Sequence, residues 1–144
     1  MQNDIFMQRA IDLARKGKEG KGGAFGAVVV RDGKVVAEVH NTVNEQQDCT
    51  QHAELSVIQK ACKALGSKDL SDCTLYTSCE PCMMCLGACY WAKFKAIYYG
   101  ASAEDARKQG YIYSNMFYAS DIEKRYAEFN MAQIMQEEAL AVWK

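Results

Sequence analysis

Two short motifs far apart in the chain, His52-Ala53-Glu54 and Pro81-Cys82-Met83-Met84-Cys85, restrict its fold more than any other feature. An imidazole and two thiolates are three ligands for a tetrahedral zinc. Three protein ligands leave the fourth position for water, as in catalytic rather than structural zinc sites. Any fold of this chain that uses these ligands must bring the two segments to one point. Glu54, two residues from the imidazole, can stand beside the metal without ligating it. A carboxylate there can take a proton from an activated water and pass it on.

Two other readings of the same residues are open. A closed site of three cysteines and one histidine, with Cys79 added, needs neither Glu54 nor Pro81. A redox pair of Cys82 and Cys85 leaves His52 and Glu54 without a role. Cys79 reads as a support beside the ligands, and Cys89 as a small core residue one turn beyond Cys85. Seven cysteines with three between positions 79 and 85 suit a metal better than a disulfide framework. Without a basic, apolar leader after Met1 or a run of about 18 apolar residues, the expectation is a cytoplasmic protein that spans no membrane.

Periodicity predicts a helix over residues 4–16, capped by Asn3 or Asp4 and broken by Gly17 and the glycines after it, which lack the spacing of a phosphate loop. A hairpin follows, with strands at 27–30 and 35–41, an Asp32-Gly33 turn, and Asn41 at its far end. Residues 44–50 read as a polar loop. A helix over 51–65, stopped by Gly66, carries His52 and Glu54 in its first turn. A third strand ends at Thr77, and Pro81 opens a helix over 81–92 that places Cys82 and Cys85 on one face. A strand over 95–99 and a short helix over 102–108 with a capping-box start come next. Residues 111–118 are dense in aromatics and suit a packed lid, a substrate rim or a subunit interface. A last helix is expected over 133–143. With 144 residues, 49% of them hydrophobic, the chain reads as one domain, 1–144. Its net charge of −1 and its predominantly acidic tail argue against nucleic acid as a partner.

Taken together, these residues resemble the cytidine-deaminase-like superfamily, and within it the small bacterial guanine deaminases. His-x-Glu with Pro-Cys-x-x-Cys is the signature of zinc-dependent nucleobase deaminases, and residues 22–30 and 77–92 extend the likeness. The resemblance implies an α/β fold, a three-layer α/β/α sandwich with a mixed five-stranded sheet. It implies one Zn2+ per subunit on His52, Cys82 and Cys85, with Glu54 as the proton carrier. Asn41 and the Ala53 backbone N–H would read a ring held between Phe25 and Trp91. A homodimer is implied, in which residues 119–144 are a segment that this branch can exchange between subunits.

The implied activity is hydrolytic deamination of a free nucleobase or similar heterocycle, with guanine first. Cytosine, isocytosine, a pterin or an aminotriazine are the alternatives within that class. A tRNA adenosine deaminase and a non-catalytic structural zinc protein are the alternatives outside it. The chain departs from the guanine branch in three places. Ala24 and Cys49 replace prolines. No acid stands at 110–114, where Tyr111 and Tyr113 offer hydroxyls instead. The aromatic residues that close the pocket after Trp143 have no counterpart before Lys144.

Overall fold

Alternate residues of each central strand face opposite ways, and that alternation builds two helical layers about one sheet. The computed structural model describes residues 2–20 and 22–144. Helix α1 (Gln2–Glu19) is followed by strands β1 (Gly26–Arg31) and β2 (Lys34–His40), then helices α2 (Val43–Gln46) and α3 (Ala53–Leu65). Strand β3 (Thr74–Cys79), helix α4 (Met83–Ala92) and strand β4 (Ala96–Ala101) complete the centre. The remainder is α5 (Ala103–Lys108), α6 (Asn115–Ala119), α7 (Ile122–Glu128), β5 (Met131–Gln133) and α8 (Gln136–Ala141).

The strands run in the order β2-β1-β3-β4-β5. β1 pairs antiparallel with β2 and β3, whereas β3–β4 and β4–β5 are parallel, so the sheet is mixed as expected. Asp32 and Gly33 both have positive φ, the backbone a two-residue hairpin turn requires. Ala27, Val29, Leu75 and Ile97 face one core with α3 and α4, and Val28, Val30 and Tyr76 face the other with α1 and α8. This is the three-layer α/β/α sandwich. Among the described residues no helix is long and apolar enough to cross a membrane.

Several boundaries differ from the periodicity reading. α1 starts at Gln2 and continues through Gly17. A Cβ on Gly17 would lie 2.3 Å from the Gly23 carbonyl oxygen, so this glycine permits a close chain crossing rather than ending the helix. α2 takes residues 44–46 of the expected loop, together with Val43 before it. The expected helix over 133–143 is shorter: Gln133 ends β5, Met135 adopts a left-handed backbone, and α8 occupies only Gln136–Ala141. β5 pairs with β4 of its own chain, and Ala139 rests over Gly100, where a Cβ would lie 2.5 Å from the alanine methyl.

Candidate active site

His52 and Cys82 are not inside first helical turns. They are the N-caps of α3 and α4, both with extended backbone, and Pro81 precedes α4 rather than opening it. An N-cap's side chain lies over the end of its helix, so two helix starts aim their ligands at one place. Cys85 reaches the same point from the first turn of α4.

His52 Nδ1 is 3.5 Å from Cys82 Sγ and 3.6 Å from Cys85 Sγ. A tetrahedral ion with ordinary zinc–sulfur and zinc–nitrogen bonds separates such atoms by about 3.6 Å. The donor set and its spacing therefore fit zinc, with Nδ1 as the ligating nitrogen, and the three donor atoms lie within 4.8 Å of one another. Cys79 is outside this group. Its Sγ is 3.1 Å from the Tyr113 hydroxyl, which removes the closed four-ligand alternative. Cys89 is buried in the core beneath α4.

The charges suit metal binding and proton transfer. Cys82 is held down at about 4, first by the hydrogen bond from the Cys85 thiol and then by His52, against the cost of burial. The same thiol–thiol bond, with burial, pushes Cys85 up. The pair thus retains one proton, and a metal must displace it to bind both sulfurs. Burial pushes the Glu54 carboxyl up to about 7, with the negative Cys82 adding to the rise. That position belongs to the metal-free site; beside a bound cation the carboxyl is held lower, and as a carboxylate it can accept a proton and return it.

A cavity of about 280 Å³ opens on this cluster, lined by His52, Cys82 and Glu54 together with Phe25, Asn41 and residues 111–113. Asn41 Oδ1 accepts the Val43 N–H at 2.9 Å, leaving the amide nitrogen as its free end. His52 makes no side-chain cap bond, so the first N–H groups of α3, that of Ala53 included, lack an intrahelical acceptor. Phe25 and Tyr111 pack edge to face with centroids 4.9 Å apart. The Tyr113 ring lines the cavity, but its hydroxyl donates to the Glu80 carbonyl.

Trp91 is a correction. It lies on α4, 74% exposed, beside a groove formed with Ile58, Cys62 and Ala88, and is absent from the walls of the cavity. Its α4 position turns it away from the helix start that carries the ligands. Trp143 instead packs against two of the lining rings: its indole N–H donates to the Ala24 carbonyl at 3.0 Å, and its ring lies 5.7 Å from Phe25 and 5.2 Å from Tyr111. The sequence reading also missed Ile112 in the wall, and Glu80 with Arg125 behind it. Only Glu80 carried a local signal, a charge directly before the buried Pro81.

Residues 1–101 match the family described as the cytidine and deoxycytidylate deaminase zinc-binding region. The chain is 50% identical over 125 residues to the guanine deaminase of Bacillus subtilis, covering 86% of this chain and 79% of that protein. It is 36% identical over 137 residues to the tRNA-specific adenosine deaminase of Agrobacterium fabrum, covering 92% of this chain and 90% of the relative. The X-ray structure of the Bacillus subtilis guanine deaminase superposes with a TM-score of 0.76 at 44% identity, over 88% of this chain and 90% of that one.

Proposed function

The chain belongs to the cytidine and deoxycytidylate deaminase zinc-binding family, and on that premise we propose that it hydrolyses the exocyclic amine from a free nucleobase, with guanine as substrate. The observation that carries the reaction class is the His52, Cys82 and Cys85 cluster at tetrahedral spacing, opening on a cavity that also holds Glu54. The relative named guanine deaminase, similar over most of the chain, supports the substrate. A cavity of about 280 Å³ lies at the small end of ligand pockets, which suits a base without its sugar.

Zinc bound by His52, Cys82 and Cys85 supplies Lewis-acid activation of water at neutral pH. Glu54 takes a proton from the attacking water and delivers it to the ring nitrogen beside the reacting carbon. Once the water's oxygen is bonded to that carbon, Glu54 moves its remaining proton to the exocyclic amine, the C–N bond breaks, and ammonia leaves a ring carbonyl. The Asn41 amide nitrogen and the Ala53 N–H donate to acceptors on the ring. Phe25 and Tyr111 cover its face and exclude water. With its proton committed to the Glu80 carbonyl, the Tyr113 hydroxyl can only accept from the ring, whereas the Tyr111 hydroxyl can donate or accept.

Incubation of the zinc-loaded chain with guanine, cytosine, isocytosine, a pterin and an aminotriazine should release ammonia first from guanine. Turnover of another ring with silence on guanine would move the substrate within the class. Turnover confined to adenosine in tRNA, weakening with salt, would favour the editing activity of the second relative.

The whole chain forms one domain and acts as a homodimer in this reading. Exposed Trp91 on α4 lines the apolar groove beside α3, with exposed Tyr90 edge to face against it, a surface suited to a second copy. Residues 119–144, paired here with β4 of their own chain, can form the same ladder in trans if exchanged. Sedimentation equilibrium should give twice the chain mass, and Trp91→Glu should give the monomer. A wild-type monomer at micromolar concentration would sink the dimer. Seven free cysteines support a reducing, cytoplasmic setting.

A further inference from the structure

Glu80, two residues before Cys82, is a carboxylate with 1% exposure, and each of its polar atoms is engaged. Its N–H donates to the Ala101 carbonyl at 2.8 Å, and its own carbonyl accepts the Tyr113 hydroxyl. Oε1 accepts the Ala103 N–H at 2.9 Å and the Tyr126 hydroxyl at 3.0 Å, and Oε2 accepts Arg125 Nη2 at 3.0 Å. Arg125 is itself only 9% exposed. Its other terminal nitrogen donates to Ser120 Oγ at 2.7 Å, and its guanidinium lies 4.1 Å above the Phe117 ring.

Two routes from Arg125 therefore meet at Tyr113. One passes through Glu80 to the tyrosine hydroxyl. The other passes through Phe117, whose ring meets that of Tyr113 edge to face at 5.1 Å. Tyr113, with Tyr111 and Ile112, lines the cavity on which His52 and Cys82 open, and its hydroxyl reaches the Cys79–Glu80 segment just before Cys82. A buried ion pair adds little net stability over a packed apolar pair of the same volume. What a planar guanidinium does supply is fixed geometry toward several partners at once.

We propose that Arg125 is a positioning residue: through Glu80 and Phe117 it holds wall 111–113 at a set distance from the Cys82 loop, and so governs how tightly the ring is bound. The kinetic part of this rests on the deaminase reading. Arg125→Gln should raise KM for the ring the wild type deaminates on the order of tenfold. Zinc content should be unchanged and kcat should stay within about twofold, the pattern of lost uniform binding. Arg125→Lys, which keeps the charge without the fork, should recover part of the KM.

Hydrogen exchange supplies a readout that needs no substrate. The Tyr113 N–H donates to the Tyr118 hydroxyl and the Ala103 N–H to Glu80. Both should exchange faster in Arg125→Gln, while residues 83–92 should not. If the wild type deaminates nothing, the parent reading fails while the exchange arm still decides the coupling. If Arg125→Gln does not fold, Tyr113→Phe, which leaves no unpaired buried charge, should show the same rise in KM. An unchanged KM in the folded variant, with only a lower Tm, would overturn the proposal. So would exchange at Tyr113 that does not change.

Discussion

Glu54→Gln should leave a folded chain that retains its zinc and releases ammonia about 10²–10⁴-fold more slowly, the range for loss of a general acid–base group. Glutamine keeps the shape and hydrogen-bonding reach of the side chain but cannot exchange a proton. Glu54 is the carboxylate that borders the cavity beside the ligands, and Asn41 has no proton to give. Rates measured at matched zinc occupancy would check this. A variant as fast as wild type would mean that the proton travels by another route, or that the cluster is structural.

The same substitution should alter stability in the opposite direction. In the metal-free chain, burial raises the Glu54 carboxyl from 4.5 to about 7. Between those values the folded state retains a proton that the unfolded chain has released. Stability therefore falls as pH rises through this window, and stays reduced above it. Glu54→Gln has no such proton, so its metal-free form should be the more stable at about pH 8 and gain less at about pH 5. Denaturant midpoints at the two values would test the sign.

Removing the metal should abolish turnover without unfolding the chain. Chelation should bring activity to background, and stoichiometric zinc should restore it. Cys85→Ser should lose metal and activity together. The fold should survive, because α3 and α4 are docked by Val57, Ala61, Leu86 and Ala92 against the sheet, independently of the ligands. Bound zinc adds stability by mass action, about 4 kcal/mol where the free ion is a thousandfold above its Kd. For a chain of this size that is on the order of 10 °C in Tm. A metal-free chain without cooperative unfolding would instead identify the zinc as structural.

Arg125 illustrates a dependence that local sequence cannot carry. It follows Lys124 in a charged segment, and nothing within ten residues on either side distinguishes it from a solvated surface base. Its ion pair with Glu80 spans 45 positions and exists only because β5 and α7 fold back along β4. Trp91 shows the converse. Its place in a long run similar to the family's suggested a wall of the site, whereas the rotation of α4 about its axis leaves it outside.

By itself the sequence determined the sheet's central strands, the hairpin and the helices that carry the ligand segments. It also marked His52, Cys82 and Cys85 as candidate metal ligands, with Cys79 still open as a fourth, and Glu54 as the candidate proton carrier beside them. Those features rest on residue chemistry and on spacing within one turn or one strand, and neighbours along the chain are sufficient to specify them. Only the tertiary structure decided that His52 and Cys82 are caps rather than helical residues, and that Cys79 bonds Tyr113 instead of the metal. It also decided that Trp143 packs against Phe25 and that Glu80 and Arg125 pair behind the wall. These depend on contacts between residues tens of positions apart, whose energy is settled by packing and by the partners that burial leaves available.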